Sequence, residues 1–310
     1  TRKESSAASD VYKRQLVMIG LVGTVVAIKE IGHAPPSVAT IVVALLVAAI
    51  GFWLFVRRQR RLENPLLEFS IFLNPAFSAG VLAAAFAMFA IGGIQLVTTQ
   101  RFQQVVGFSP LEAGLLVAVI AVGALPTALL GGAFLHRVGL LALITGGLAV
   151  ATGGVVVTVV GFQSSFGVLV LGLLVTGAGL GAAMSVASTA IIGNVPVRRA
   201  GMAASLEEVS YEFGSLIAVS VLGSLLTAIY TASVVLPNGA PAAAGDGIAE
   251  ALEAAQGDAA IIQAASTAFD SACLVVMLVV AGVLAAATVI TGVLLRRYLP
   301  GTQSQLHSEH

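Results

Sequence analysis

The chain is short of most of what a soluble or secreted domain uses. Charged residues fill 10% of its 310 positions and aromatic residues 6%, whereas an ordinary soluble domain is about a quarter charged. So few charges cannot clothe a globular surface in water. The single cysteine, Cys273, excludes a disulfide framework, and inside an apolar run its thiol is expected to be buried and inert. Fifteen Lys and Arg balance fifteen Asp and Glu, which leaves no net field to attract nucleic acid or an acidic partner. Chemistry is sparse too. There is no metal-ligand spacing, no nucleophile elbow and no His/Asp pair within membrane reach, so neither an enzyme nor a cofactor is expected.

What the chain has in excess is apolar sequence. Hydrophobic residues reach 58% and mean hydropathy is +1.01, in runs of the ~20 residues that cross a bilayer core. Lipid cannot satisfy backbone polar groups, so such runs predict an all-α polytopic membrane protein. Residues 1–15 are polar and patternless, and Asp10 to Gln15 resembles a translated sequencing adapter; they are set aside as a non-native scar. Residues 16–28 are apolar for only ~13 positions, which reads as a helix whose start is missing and makes the chain a fragment. Full spans are expected at 38–56, 77–99, 111–135, 140–160, 166–192, 202–230 and 272–295. An amphipathic connector over 57–76 would lie at the membrane surface. The expected bundle is thus seven complete helices and one truncated one, with the six spans within 77–297 as its C-terminal part, an outer loop at 236–268 and a polar tail at 298–310.

Orientation follows from the few cations. Inner loops hold Arg57, Arg58, Arg60, Arg61, Arg137, Arg198, Arg199, Arg296 and Arg297, and outer ones Lys29 and Arg101. Basic residues gather on the cytoplasmic side, so the C-terminus is expected there. The outer loop carries Asp246, Glu250, Glu253 and Asp258 without Lys or Arg, and the spacing of Ile248, Leu252, Ile261, Ile262 and Ala265 predicts a short surface helix within 248–268. Gly146-Gly147, Gly153-Gly154 and Gly177-Ala178-Gly179-Leu180-Gly181 predict close helix packing. Glu112 and Asp270 fall at the starts of expected spans, where capping or pairing with the helix dipole is expected. His136, beside Arg137, is expected to be solvated.

One stretch breaks the apolar pattern. Ala204 to Gly214 places Glu207, Glu208 and Glu212 inside the span 202–230. An acid at a helix centre costs about 2.5 to 3.5 kcal/mol on insertion scales, so all three are expected to face protein or water. At ~100° per residue from Glu207, Tyr211 falls at ~40°, Glu208 at ~100° and Glu212 at ~140°, a single shared face. Poor solvation and mutual repulsion make protons and cations compete for the same oxygens. Glu207, Glu208 and Glu212 are therefore candidates for proton coupling and cation binding, with the Tyr211 ring as a contact for an organic cation. Pairing with arginines, or a place at a helix end, is the competing reading; it suits Glu207 best, at the edge of the face.

Three further stretches carry local signatures: Arg57-Arg58 through Pro65-Leu66-Leu67 to Ile71-Phe72-Leu73-Asn74-Pro75-Ala76-Phe77, then Gln104-Val105-Val106-Gly107-Phe108-Ser109-Pro110-Leu111-Glu112-Ala113-Gly114-Leu115, then Gly132-Ala133-Phe134-Leu135-His136-Arg137-Val138-Gly139. With them the chain resembles the C-terminal half of major facilitator superfamily transporters, in particular the fourteen-helix drug:proton antiporters. The first stretch is similar to that family's link into its ninth helix, and the second to the loop that follows that helix. The third is similar to the G-x-L-x-D-R-x-G loop, with His136 where the acid stands. The acidic stretch, followed by Val219-Ser220-Val221-Leu222-Gly223-Ser224, looks like the thirteenth helix of the quaternary-ammonium efflux branch. The resemblance implies proton-coupled efflux of lipophilic or quaternary-ammonium cations across a bacterial inner membrane. It also implies a six-helix bundle ahead of this chain as its partner, and a part for Glu207, Glu208 and Glu212 in coupling or binding. An exporter of another small metabolite, or a non-transporting remnant, stands as the alternative.

Overall fold

The structure is a computed structural model that describes residues 15, 18–28, 30, 37–59 and 69–297. Positions 1–14 of the expected scar at 1–15, positions 60–68 of the expected connector and the tail at 298–310 lie outside the described residues. Helices α1 (Met18–Ile28) and α2 (Val38–Gln59) belong to one compact unit, and everything from Ser70 onward to a second. Within the first unit, small residues bring the helices close: a Cβ added to Gly23 would stand 2.7 Å from the Ala48 nitrogen. Lipid gives helices no hydrophobic reason to associate, so close backbone approach of this kind supplies the contact.

The second unit holds the candidate site and is built around α3 (Pro75–Gln104). That helix starts at Pro75 because Asn74 caps it: the Asn74 Oδ1 accepts from the nitrogens of Ala76 (2.9 Å) and Phe77 (3.4 Å), while proline at the first position gives up an N–H that had no partner. Ala76, Ala79, Ala83, Ala87, Ala90, Ile94 and Val97 form a fully buried stripe along it, the spacing of one helix face.

Helix α4 (Pro110–Gln163) opens with the reciprocal bonds of a capping box: the Ser109 nitrogen donates to Glu112 Oε2 (2.8 Å) and the Glu112 nitrogen to Ser109 Oγ (3.3 Å). This is the capping expected of Glu112. Fifty-four residues would reach ~80 Å at 1.5 Å per residue, far more than a bilayer core of ~30 Å. Gly139, at φ 85° and ψ 162°, divides them into two arms, 110–138 and 140–163, through a conformation that glycine enters without strain. His136 and Arg137 are exposed beside the break. Six helices among the described residues are long and apolar enough to cross a membrane. Counting the two arms of α4 separately makes seven, with α1 as the shorter eighth, as the sequence predicts.

Helix α5 (Phe166–Ile192) packs against both arms of α4. A Cβ on Gly177 would collide with the Ile120 carbonyl of the first arm, and one on Gly179 would stand 2.5 Å from the Gly147 carbonyl of the second. In each glycine pair of the second arm only one member packs: Gly147 and Gly154 meet α5, whereas Gly146 and Gly153 face open space.

Helix α6 (Ala200–Ile217), a π turn (Ala218–Leu222) and α7 (Gly223–Ser233) follow one another without a break. In the loop beyond, α8 (Ile248–Ala254) forms over the first part of the expected 248–268 helix, while Ile261, Ile262 and Ala265 belong to the next helix. The buried Tyr230 donates its hydroxyl to the Ala244 carbonyl (2.9 Å) and pins the loop to α7. The last helix, α9 (Ala259–Leu295), starts well before the expected 272, where Asp258 Oδ1 accepts from the Ala260 nitrogen (2.9 Å).

Candidate functional site

Small residues set the acidic helix against its neighbours. Ala203, Glu207, Gly214, Ala218 and Leu222 are the buried line of α6 and the π turn. A Cβ on Gly214 would collide with the Ala85 carbonyl of α3, and one on Gly92 of α3 would stand 3.2 Å from the Ala218 Cβ. Backbones this close leave α6 little freedom to rotate, and that rotation decides where each acid points.

Glu207 points inward and is 8% exposed. Its Oε1 accepts from the Tyr211 hydroxyl (2.8 Å) and its Oε2 from the Ser188 hydroxyl of α5 (3.2 Å). The partly buried Tyr211 packs against the cluster of Ile71, Phe77, Ala84, Ile191, Val195 and Ala203. Glu208 and Glu212 are exposed, and among the described residues neither has a hydrogen-bond or ion-pair partner. With Gly201 and Ser205 they form one outward stripe at the spacing of helical turns. Burial thus follows the angles around the helix: inward at Glu207, halfway at Tyr211, outward at Glu208 and Glu212. The structure brings the last two together on one side and gives Glu207 to the packed side.

Two carboxylates one turn apart repel by a few tenths of a kcal/mol. That repulsion is relieved when a proton or a cation arrives. No group of three His, Cys, Asp or Glu side chains among the described residues is placed to hold a metal ion.

Asp270 requires a correction. The sequence places it at a helix start, as a cap or dipole partner. Because α9 begins at Ala259, Asp270 lies about three turns inside the helix, where a charge is served by a countercharge rather than by a helix end. Arg101 supplies it, with Nε 2.8 Å from Oδ1 and Nη2 3.2 Å from Oδ2, the two-pronged geometry of a strong guanidinium–carboxylate contact. The guanidinium also lies 4.8 Å from the Phe162 ring centroid. Opposite charges at the outer ends of two expected spans were the available signal for this pair. Ser188 gave none, being one of many small polar residues in the spans. The π turn, ~9 Å beyond Glu212 along the helix axis, is marked by no proline or charge, though such turns gather at functional sites.

Apolar helices long enough to cross a bilayer and locked together by glycines define a multi-pass membrane protein. The profile of the Major Facilitator Superfamily matches residues 16–219, and the chain belongs to that superfamily. It is 28% identical over 284 residues to the multidrug efflux pump LfrA of Mycolicibacterium smegmatis, covering 87% of this chain and 56% of LfrA. Over 220 residues it is 31% identical to the multidrug resistance protein Stp of Mycobacterium tuberculosis, with 71% and 40% covered. Over 213 residues it is 29% identical to the methyl viologen resistance protein SmvA of Salmonella typhimurium, with 67% and 42% covered. The chain spans about half the length of these curated relatives. Among solved structures, a bacterial homologue of the human lysosomal transporter Spinster, in its inward-facing and unoccupied conformation, shares the fold. The TM-score is 0.59 at 21% identity, over 86% of this chain and 60% of that one.

Proposed function

We propose that this chain is the C-terminal portion of a proton-coupled exporter of lipophilic or quaternary-ammonium cations in a bacterial inner membrane, its own C-terminus in the cytoplasm. One observation carries the reading: Glu208 and Glu212 stand one turn apart on an outward stripe of a membrane span, and among the described residues neither has a partner. An unpartnered acid in a membrane helix is retained where something charged arrives to meet it. The names of LfrA and Stp, both multidrug proteins, and of SmvA support a drug-like cargo. The stripe would face a six-helix bundle contributed by sequence ahead of this chain. A cation enters from the inside, neutralises the acid pair and rests against the Tyr211 ring. Protonation of the same carboxylates from the outside then displaces it as the two bundles rock about the site. Glu207 takes part in coupling from the packed side.

The test is efflux of a fluorescent cation from cells or vesicles by the full-length protein carrying Glu208→Gln, then Glu212→Gln. Loss of proton-dependent efflux in either supports the reading. Unchanged efflux in both removes the pair from the mechanism. Competition by other lipophilic cations separates this cargo from an anionic or neutral metabolite.

A further inference from the structure

Glu207 is the one charged residue on the buried line of α6, and its two partners differ in kind. Tyr211 sits four residues on along the same helix, so its bond to Oε1 holds the carboxylate against α6 itself. Ser188 belongs to α5, so its bond to Oε2 ties one helix to another. Both hydroxyls spend their single proton on Glu207, the arrangement an ionised carboxylate demands, since it accepts and cannot donate.

A proton on Glu207 changes that demand. One carboxyl oxygen becomes a donor, and one neighbour must turn from donor to acceptor or let go. Tyr211 is held to donating, because the apolar side chains around it, Phe77 and Ile191 among them, offer its hydroxyl proton no other acceptor. Ser188 has an outlet. Serine and threonine hydroxyls throughout this bundle donate to the carbonyl four residues earlier, as Thr176 does to Gly172 and Ser210 to Leu206, and the same turn is open to a helical serine at 188. Its lone pairs are then free to receive the proton of Glu207. Among the described residues the charged groups nearest to Glu207 along the chain are Glu208 and Glu212 on α6, and Arg198 and Arg199 about two turns ahead of it. Helix α5 has no titratable side chain, and the only one on α3 is Arg101, near that helix's far end.

We propose that Ser188 is a positioning residue that senses the charge of Glu207: it donates to the ionised carboxylate and accepts from the protonated one, so that each proton taken up or released by Glu207 is registered at the junction of α6 with α5. This rests on the proposed proton coupling only for where the proton comes from; the hydrogen-bond reversal is a property of this chain and is read without transport.

The experiment is infrared difference spectroscopy of this chain in lipid nanodiscs, comparing acid and alkaline conditions in the carboxyl C=O region. Glu207→Gln identifies the band, Ser188→Ala is expected to shift it to higher frequency through loss of a hydrogen bond, and Ser188→Thr, which keeps a hydroxyl, is expected to restore it. If Ser188→Ala fails to fold, Ser188→Cys, of similar size and a weaker acceptor as well as a weaker donor, gives the same comparison with a smaller shift. A band that vanishes in Glu207→Gln but is indifferent to every change at position 188 overturns the proposal, as does a difference spectrum that Glu207→Gln leaves unaltered. Efflux that survives Glu208→Gln and Glu212→Gln while the band still responds to Ser188 would sink the transport reading alone.

Discussion

Arg101 with Asp270, and Glu208 with Glu212, are two pairs of charges in the helices of one bundle, treated in opposite ways. The first pair is of opposite sign, comes from helices 169 residues apart in sequence, and closes on itself at 2.8 and 3.2 Å. The second is of like sign, lies one turn apart on α6, and has no counterion on this chain among the described residues. Apolar surroundings penalise both kinds of charge, yet only the first is answered within the fold. A charge that holds helices together brings its partner with it, whereas one kept for a ligand leaves its partner to arrive. Glu207 stands between these cases, answered by hydroxyls that hold it in place without neutralising it.

The contrast is broken most directly at the acids. Replacing Glu208 and Glu212 together by Gln is expected to lower proton-coupled efflux by about 30-fold or more, the scale of losing a desolvated charge contact of ~2 kcal/mol. The unfolding midpoint of the purified protein should stay level or rise slightly, because a like-charge repulsion has been relieved. A drop in thermal stability as large as the drop in efflux would show that the acids serve the fold after all. At the other pair the expectation inverts. Asp270→Asn should cost about 3 kcal/mol of stability, the low end for orphaning a buried partner because Asp270 is itself 37% exposed. Arg101→Met with Asp270→Leu should recover most of that loss, since an apolar pair needs no counterion. Chemical denaturation of the four proteins in one lipid or detergent reads the comparison, and a double variant as unstable as Asp270→Asn alone would count against it.

Most of the scaffold was legible because its signals are local. Apolar runs of about twenty residues bounded by charged or polar turns name the spans, and Glu112 at the start of one of them names a helix cap. The Arg101–Asp270 contact was hidden by an end that composition disguises: residues 259–271 are too polar to be read as lipid-facing, yet they are rich in alanine and continue α9 outward. The acids themselves were legible too, as was their order around the helix. Which edge of their face is buried was not, because a helical wheel has angles but no origin. The origin is supplied by Gly214 against Ala85, a contact between positions 129 residues apart that no single stretch encodes.

Two tyrosines sharpen the comparison at the smallest scale. Tyr230 donates to the Ala244 carbonyl at 2.9 Å and Tyr211 to the Glu207 carboxylate at 2.8 Å, so similar lengths join one hydroxyl to a fixed acceptor and the other to one that changes with its proton. Tyr230→Phe removes a neutral bond and should cost about 1 kcal/mol. The loss should appear as faster proteolysis of the 236–258 loop, which that bond pins to α7, with the infrared band of Glu207 unmoved. Tyr211→Phe should do the reverse, shifting that band while the loop stays protected. The two substitutions delete the same atom from the same residue type, so a difference between them belongs to the acceptor. If both variants moved the band, or neither did, the distinction between a bond that serves the fold and one that serves the site would fail at its most closely matched pair.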